Sequence, residues 1–152
     1  MDIIQSIGVI KKEAEIFIAQ VLLRLQEEGI NFSHSPIGHV CYQVANVNRY
    51  KELHQVLLDD GNEVIYDNMF KLKTPINCNS IFGEYNVSCL ELLAPRGEKL
   101  SSEGFRRLEF LVSDINQFAE LYPVFSNTDI SPGRRTCSAV FDGVTVKVAE
   151  YS

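Results

Sequence analysis

The stretch HVCYQVANVNRYKEL, residues 39–53, can be laid over RLEFLVSDINQFAEL, residues 107–121, without a gap. The offset is a constant 68: His39 falls on Arg107, Val44 on Val112, Tyr50 on Phe118 and Leu53 on Leu121. Apolar positions meet apolar positions, and two polar pairs are identical, Asn48 with Asn116 and Glu52 with Glu120. Each copy opens with an alternating run rich in β-branched and aromatic residues, the pattern of a half-buried strand. Each then presents a capping residue, Asn46 or Asp114, and apolar side chains at helical spacing. Periodic self-similarity of this kind marks a duplicated supersecondary unit.

Working outward, Asp59-Asp60-Gly61-Asn62 stops the first helix, and residues 63–66 read as a strand. Residues 76–82 and 87–93 read as two more, separated by Gly83-Glu84-Tyr85-Asn86. In the second copy, residues 137–141 and 144–149 flank Asp142-Gly143, a strong hairpin signal because both turn residues tolerate positive φ. The remaining strand of this half is expected near residues 124–130, where the pattern is weak. Ahead of the first copy, Ile3, Ile7, Ile10, Ala14, Phe17, Ile18, Val21 and Leu25 recur at helical spacing. They predict one long helix or two shorter ones, with Gly29 as the stop. The expected fold class is α+β: a single domain over residues 1–152, with a helical extension over 1–34. Two tandem βαβββ modules, 35–97 and 98–152, then close one curved-sheet cup.

Composition agrees with a globular domain: of 152 residues, 45% are hydrophobic and 22% charged, enough to build a core without staples. A net charge of -6 argues against the basic face that nucleic acid or an anionic membrane surface requires. The N-terminal helix is interrupted by Lys11, Lys12, Glu13 and Glu15 and does not read as an export signal or a span, so a cytoplasmic protein is expected. Cys41, Cys78, Cys89 and Cys137 form no CxxC pair, and they read as small core residues of a reducing compartment.

The last strands of the two halves also match. Leu90-Glu91-Leu92 corresponds to Val146-Lys147-Val148, each placing a charge between apolar neighbours. The repeat thus pairs His39 with Arg107 and Glu91 with Lys147. If the first and last strands of each half meet in the middle of the sheet, these side chains converge on one cavity.

The stretches GHVCYQV, DNMFKLKTPI, ELLAPRGEKLSSEGFRRLEFLV and DGVTVKVAEYS resemble the YecM-type branch of the vicinal oxygen chelate superfamily, which includes the glyoxalase, bleomycin-resistance and extradiol dioxygenase proteins. The resemblance runs from about Gly38 to the C-terminus. It implies the paired βαβββ cup and one divalent metal ion, of unspecified identity, held by His and Glu from the first and last strands of each module. Carried over, His39 and Glu91 occupy ligand positions. Arg107 stands where the YecM-type pattern has histidine, and Lys147 where many members have glutamate. Arginine has no lone pair to offer, and protonated lysine is no ligand. The metal set therefore departs from the superfamily's in the second module.

Two functions follow, with a small-molecule ligand in both. In the first, the chain is a divalent-metal enzyme of the lyase, isomerase or dioxygenase class acting on an oxygen-rich molecule. His39 and Glu91 are its ligands, and Glu109 is a third ligand or a general base; Gln43 shares the strand parity. In the second, the cup carries no cofactor and no catalysis, and Arg107 and Lys147 bind a small anion directly. A neutralised plug, in which Glu91 and Glu109 pair with those cations, stands against it. Asn77 and Asn79 are candidate substrate contacts on a strand lining the cup. A Cys41 or Cys89 thiol near the cations is a weaker candidate, its pKa lowered by their charge. His34 and His54 read as solvated, and Arg134 and Arg135 flank a loop that covers the cup or simply solubilises the chain. A monomer or a homodimer is expected, with neither nucleic acid nor membrane as partner.

Overall fold

The computed structural model describes residues 3–32, 35–95, 102–125, 127–131 and 134–150. Helix α1 (Ile3–Glu27) precedes strand β1 (Ile37–Gln43), helix α2 (Val47–Asp59) and strands β2 (Glu63–Tyr66), β3 (Met69–Ser80) and β4 (Gly83–Leu93). Strand β5 (Gly104–Val112), helix α3 (Ile115–Leu121), a 3-10 turn (Pro123–Phe125) and strands β6 (Asn127–Ser131), β7 (Arg134–Phe141) and β8 (Val144–Glu150) complete the second module. The strands form one sheet in the order β2-β3-β4-β1-β5-β8-β7-β6. This is the α+β architecture with paired modules that the repeat predicts.

The register carries the duplication into three dimensions. In the first module Val40, Cys41 and Tyr42 stand beside Leu90, Glu91 and Leu92 in a parallel pair. In the second, Leu108, Glu109 and Phe110 stand beside Val146, Lys147 and Val148, also parallel. The modules join where β1 runs antiparallel to β5, with His39 opposite Glu109, Val40 opposite Leu108 and Cys41 opposite Arg107. Exchanging the modules maps the first of these pairs onto the last, so a local two-fold axis passes between Val40 and Leu108.

Side chains alternate across this sheet. Val40, Tyr42, Leu90, Leu92, Leu108, Phe110, Val146 and Val148 are all buried on the helix-covered face. Each such residue removed from water contributes roughly 1.5–3 kcal/mol. α1 spans both modules on that face. Lys11 Nζ donates to Thr74 O on β3 at 3.0 Å, Phe17 stacks on Phe105 at 5.4 Å, and Arg24 Nε reaches Asp142 at the β7–β8 turn at 2.8 Å. α1 is one helix and stops at Gly29, φ 75°, where Ile30 N–H donates to Leu25 O and Gly29 N–H to Gln26 O, both at 2.9 Å. That pair of bonds is the Schellman closure, which needs a residue at ease with positive φ.

The β3–β4 hairpin departs from the sequence reading. Its turn is at Ile81-Phe82 and not at residues 83–86, because Ser80 Oγ accepts from Phe82 N–H and donates to Gly83 O, both at 3.1 Å. β3 also starts at Met69, ahead of the expected residue 76. Between Lys71 and Ile76, a span that holds Pro75, the strand bulges, matching only the step from Cys89 to Val87 on β4. A bulge is where a sheet tolerates a residue lacking an N–H. β7 likewise begins before residue 137, and β6 forms in the weakly patterned stretch. The Asp142-Gly143 turn has φ of 51° and 83°, as the hairpin signal requires.

The equivalent caps of the two modules are both made: Asn46 Oδ1 accepts from Arg49 N–H at 2.8 Å and Asp114 Oδ1 from Gln117 N–H at 3.1 Å. Asn46→Ala should lower the unfolding free energy by about 1 kcal/mol. Urea denaturation should show a shifted midpoint at unchanged slope.

Candidate functional site

The sheet face away from the helices is built by the same alternation that buries the core. β1 contributes His39 and Cys41, β4 Cys89 and Glu91, β5 Arg107 and Glu109, and β8 Lys147, all neighbours across the ladder. The positions 39, 91, 107 and 147 therefore share one face of four adjacent strands.

His39 is the centre of this constellation, with its side chain only 8% exposed. Its Nδ1 lies 3.4 Å from Glu109 Oε1 and its Nε2 lies 3.8 Å from Glu91 Oε2. The two carboxylates flank opposite edges of one imidazole. Donor atoms of His39, Cys41 and Glu91 all lie within 4.8 Å of one another. Glu109, 1% exposed, fits beside the Nδ1 edge of the ring because residue 38 is glycine: a Cβ there would stand 2.7 Å from Glu109 Oε1.

Arg107 and Lys147 are half-buried and make no ion pair among the described residues, while Glu91 and Glu109 turn towards His39. Both cations act on Cys41, but its pKa is not lowered. Burial, foremost, and the nearby Glu91 charge push the thiol up to about 12, and the opposing pull of Arg107 and Lys147 does not compensate. Desolvation outweighs a charge acting across a strand spacing. Cys89 is also shifted up by burial, against the pull of Lys71.

The other sequence candidates lie elsewhere or are otherwise engaged. Gln43 Nε2 donates to Leu93 O at 2.9 Å and to Val44 O at 3.1 Å, tying the ends of β1 and β4. Asn77 and Asn79 are exposed beyond the β3 bulge, opposite Asn86 and Glu84. Asn86 is separated from Glu91 by about 17 Å of strand at 3.4 Å per residue. His54 is half-buried, with its ring 5.0 Å from that of Phe70, so it is not fully solvated. Arg135 Nη2 donates to Asn116 on α3 at 2.6 Å, on the helix side. His34, Pro132, Gly133 and the Arg134 side chain lie outside the described residues. Met69 and Lys71, opposite Glu91 and Cys89 on the cup face, were not singled out, because the sequence reading starts their strand too late. Cys41 as a donor beside His39 was signalled only by shared strand parity.

The family model described as YecM protein matches residues 8–150 of the chain. No curated protein matches it. Among solved structures, a structural-genomics protein called EC4020 superposes with a TM-score of 0.71 at 16% identity, covering 100% of this chain and 90% of its own. A methylmalonyl-CoA epimerase gives 0.48 at 13% identity, over 76% of this chain and 94% of its own. A glyoxalase/bleomycin resistance protein/dioxygenase superfamily member from Vibrio splendidus gives 0.38 at 12% identity, over 77% and 99%.

The tight seat of Glu109 gives a direct test of the constellation. Gly38→Ala should cost about 1–3 kcal/mol, as overpacking does. In a Glu109→Ala background the cost should largely vanish, and a thermodynamic double-mutant cycle would read the difference. Equal costs in both backgrounds would separate Gly38 from Glu109.

Proposed function

The chain belongs to the YecM family, and from that premise we propose that its cup holds one divalent metal ion between His39 and Glu91 and receives a small oxygen-rich molecule beside it. The paired βαβββ fold is that of the vicinal oxygen chelate proteins. The observation that carries the proposal is the pair of carboxylates on opposite edges of the His39 ring. Bonds of about 2.0–2.2 Å to imidazole and carboxylate suit the 3.8 Å separation of Nε2 and Glu91 Oε2. Glu109, on the other ring nitrogen, then orients His39 and fixes its tautomer, the carboxylate–histidine arrangement that commonly backs a metal ligand. This role replaces the third ligand or general base that the sequence suggested for Glu109.

A bound ion would supply Lewis-acid polarisation of a ligand oxygen, which lyase, isomerase and dioxygenase chemistry can use. The chain's own residues do the rest. Arg107 and Lys147 face the cup from the second module and can take an anionic oxygen of the ligand, Arg107 in bidentate fashion. Protein purified without a tag or chelator should carry, or take up, one divalent ion per chain by elemental analysis. His39→Ala should abolish it, and Glu91→Gln should weaken it. Failure to take up manganese, iron, zinc or nickel at all would overturn the proposal.

A second reading, a metal-free anion site, is favoured by the lack of any ion pair to Arg107 or Lys147 among the described residues. Thermal shift with small carboxylates, measured in chelator, should then raise the melting temperature of the wild type and not of Arg107→Ala. Equal shifts in both proteins would remove Arg107 from the site.

A further inference from the structure

We infer that Cys41 is a metal ligand and makes the centre selective for thiophilic, borderline ions of the zinc type over oxygen-seeking magnesium and manganese, with Arg107 as the counter-charge of its thiolate. This rests on the metal reading above and assigns the class of ion that site takes.

Position is the first argument. Cys41 is fully buried, yet its Sγ lies within 4.8 Å of the donor atoms of both His39 and Glu91. Cys78, by contrast, packs on the helix side, with its Sγ 3.6 Å from Glu15 O on α1. Cys41 instead shares the cup face with His39 and stands beside Glu91 in the ladder. Under the local two-fold it takes the place that Glu109 holds in the second module.

Charge is the second argument. Arg107 is directly opposite Cys41 across the β1–β5 ladder, and Lys147 stands beside Glu109 on the next strand. Both favour a negative sulfur. The second module's departure from the superfamily ligand set thus places cations where a buried thiolate and carboxylate need them. Binding forms the metal–sulfur bond and releases the Sγ proton to solvent. A set of thiolate, imidazole and carboxylate suits zinc, cobalt and their neighbours, whereas magnesium and manganese prefer oxygen ligands.

Cobalt(II) titration followed by absorption spectroscopy tests this on the tag-free chain. The wild type should develop a near-ultraviolet thiolate-to-cobalt charge-transfer band that saturates at one equivalent. Zinc should displace the cobalt, and excess manganese should not. Cys41→Ser, with its fold checked by circular dichroism, should lack the band and lose at least as much affinity as the roughly 10–100-fold typical of an outer-shell loss. Arg107→Gln should keep the band and bind within that same weaker range; unchanged affinity would remove Arg107 from the account. Cobalt bound in the wild type without the charge-transfer band would overturn the role of Cys41 and leave the metal centre standing. No cobalt uptake would overturn the centre itself. The wild-type spectrum decides the matter even if the serine variant does not fold.

Discussion

The antiparallel pairing of β1 with β5 is the constraint from which the rest of this molecule follows. It joins the duplicated modules through Val40 and Leu108, both completely buried. A one-residue slip at this seam would turn His39, Cys41, Arg107 and Glu109 into the apolar core and expose their neighbours. The hydrophobic face therefore enforces the register, and the register delivers the polar face as a by-product. α1 reinforces the seam from behind, with Phe17 against Phe105 and polar ties to β3 and to the β7–β8 turn. Its long helical stripe has one sheet face to cover, and covering it leaves the opposite face as the cup.

Duplication makes the scaffold symmetric, but divergence has made the chemistry unequal. At equivalent positions one module carries His39, Cys41 and Glu91, and the other Arg107, Glu109 and Lys147. The first set consists of donors. The second set cannot ligate through its cations, and it surrounds the first with charge. Interactions of this kind are strong where water is scarce, and His39, Cys41 and Glu109 are all buried. The same scarcity of water penalises an isolated thiolate, which is why Cys41 is held protonated despite two nearby cations.

Much of the fold was legible in the residues because its signals are local. The caps Asn46 and Asp114, the helices behind them, the Gly29 stop and the Asp142-Gly143 turn depend on side chains within a few positions of one another. Local signals failed where a long-range pairing decided the outcome. Proline is disfavoured inside a paired strand, but β4 accepts Pro75 at a bulge and pairs with β3 back to Met69. Residues 83–86 resemble a turn, yet the Ser80 hydroxyl closes the hairpin earlier.

For the site, the sequence by itself determined which residues share a face, because strand alternation and a constant 68-residue offset are properties of order along the chain. It also determined that Arg107 and Lys147 bring charge rather than lone pairs. Only the tertiary structure decided which edge of the His39 ring meets which carboxylate. Likewise it decided that Gly38 makes room for Glu109, and that burial overrides the cations at Cys41. These outcomes depend on distances between strands far apart in sequence and on the exclusion of water, and neither quantity exists until the sheet has closed.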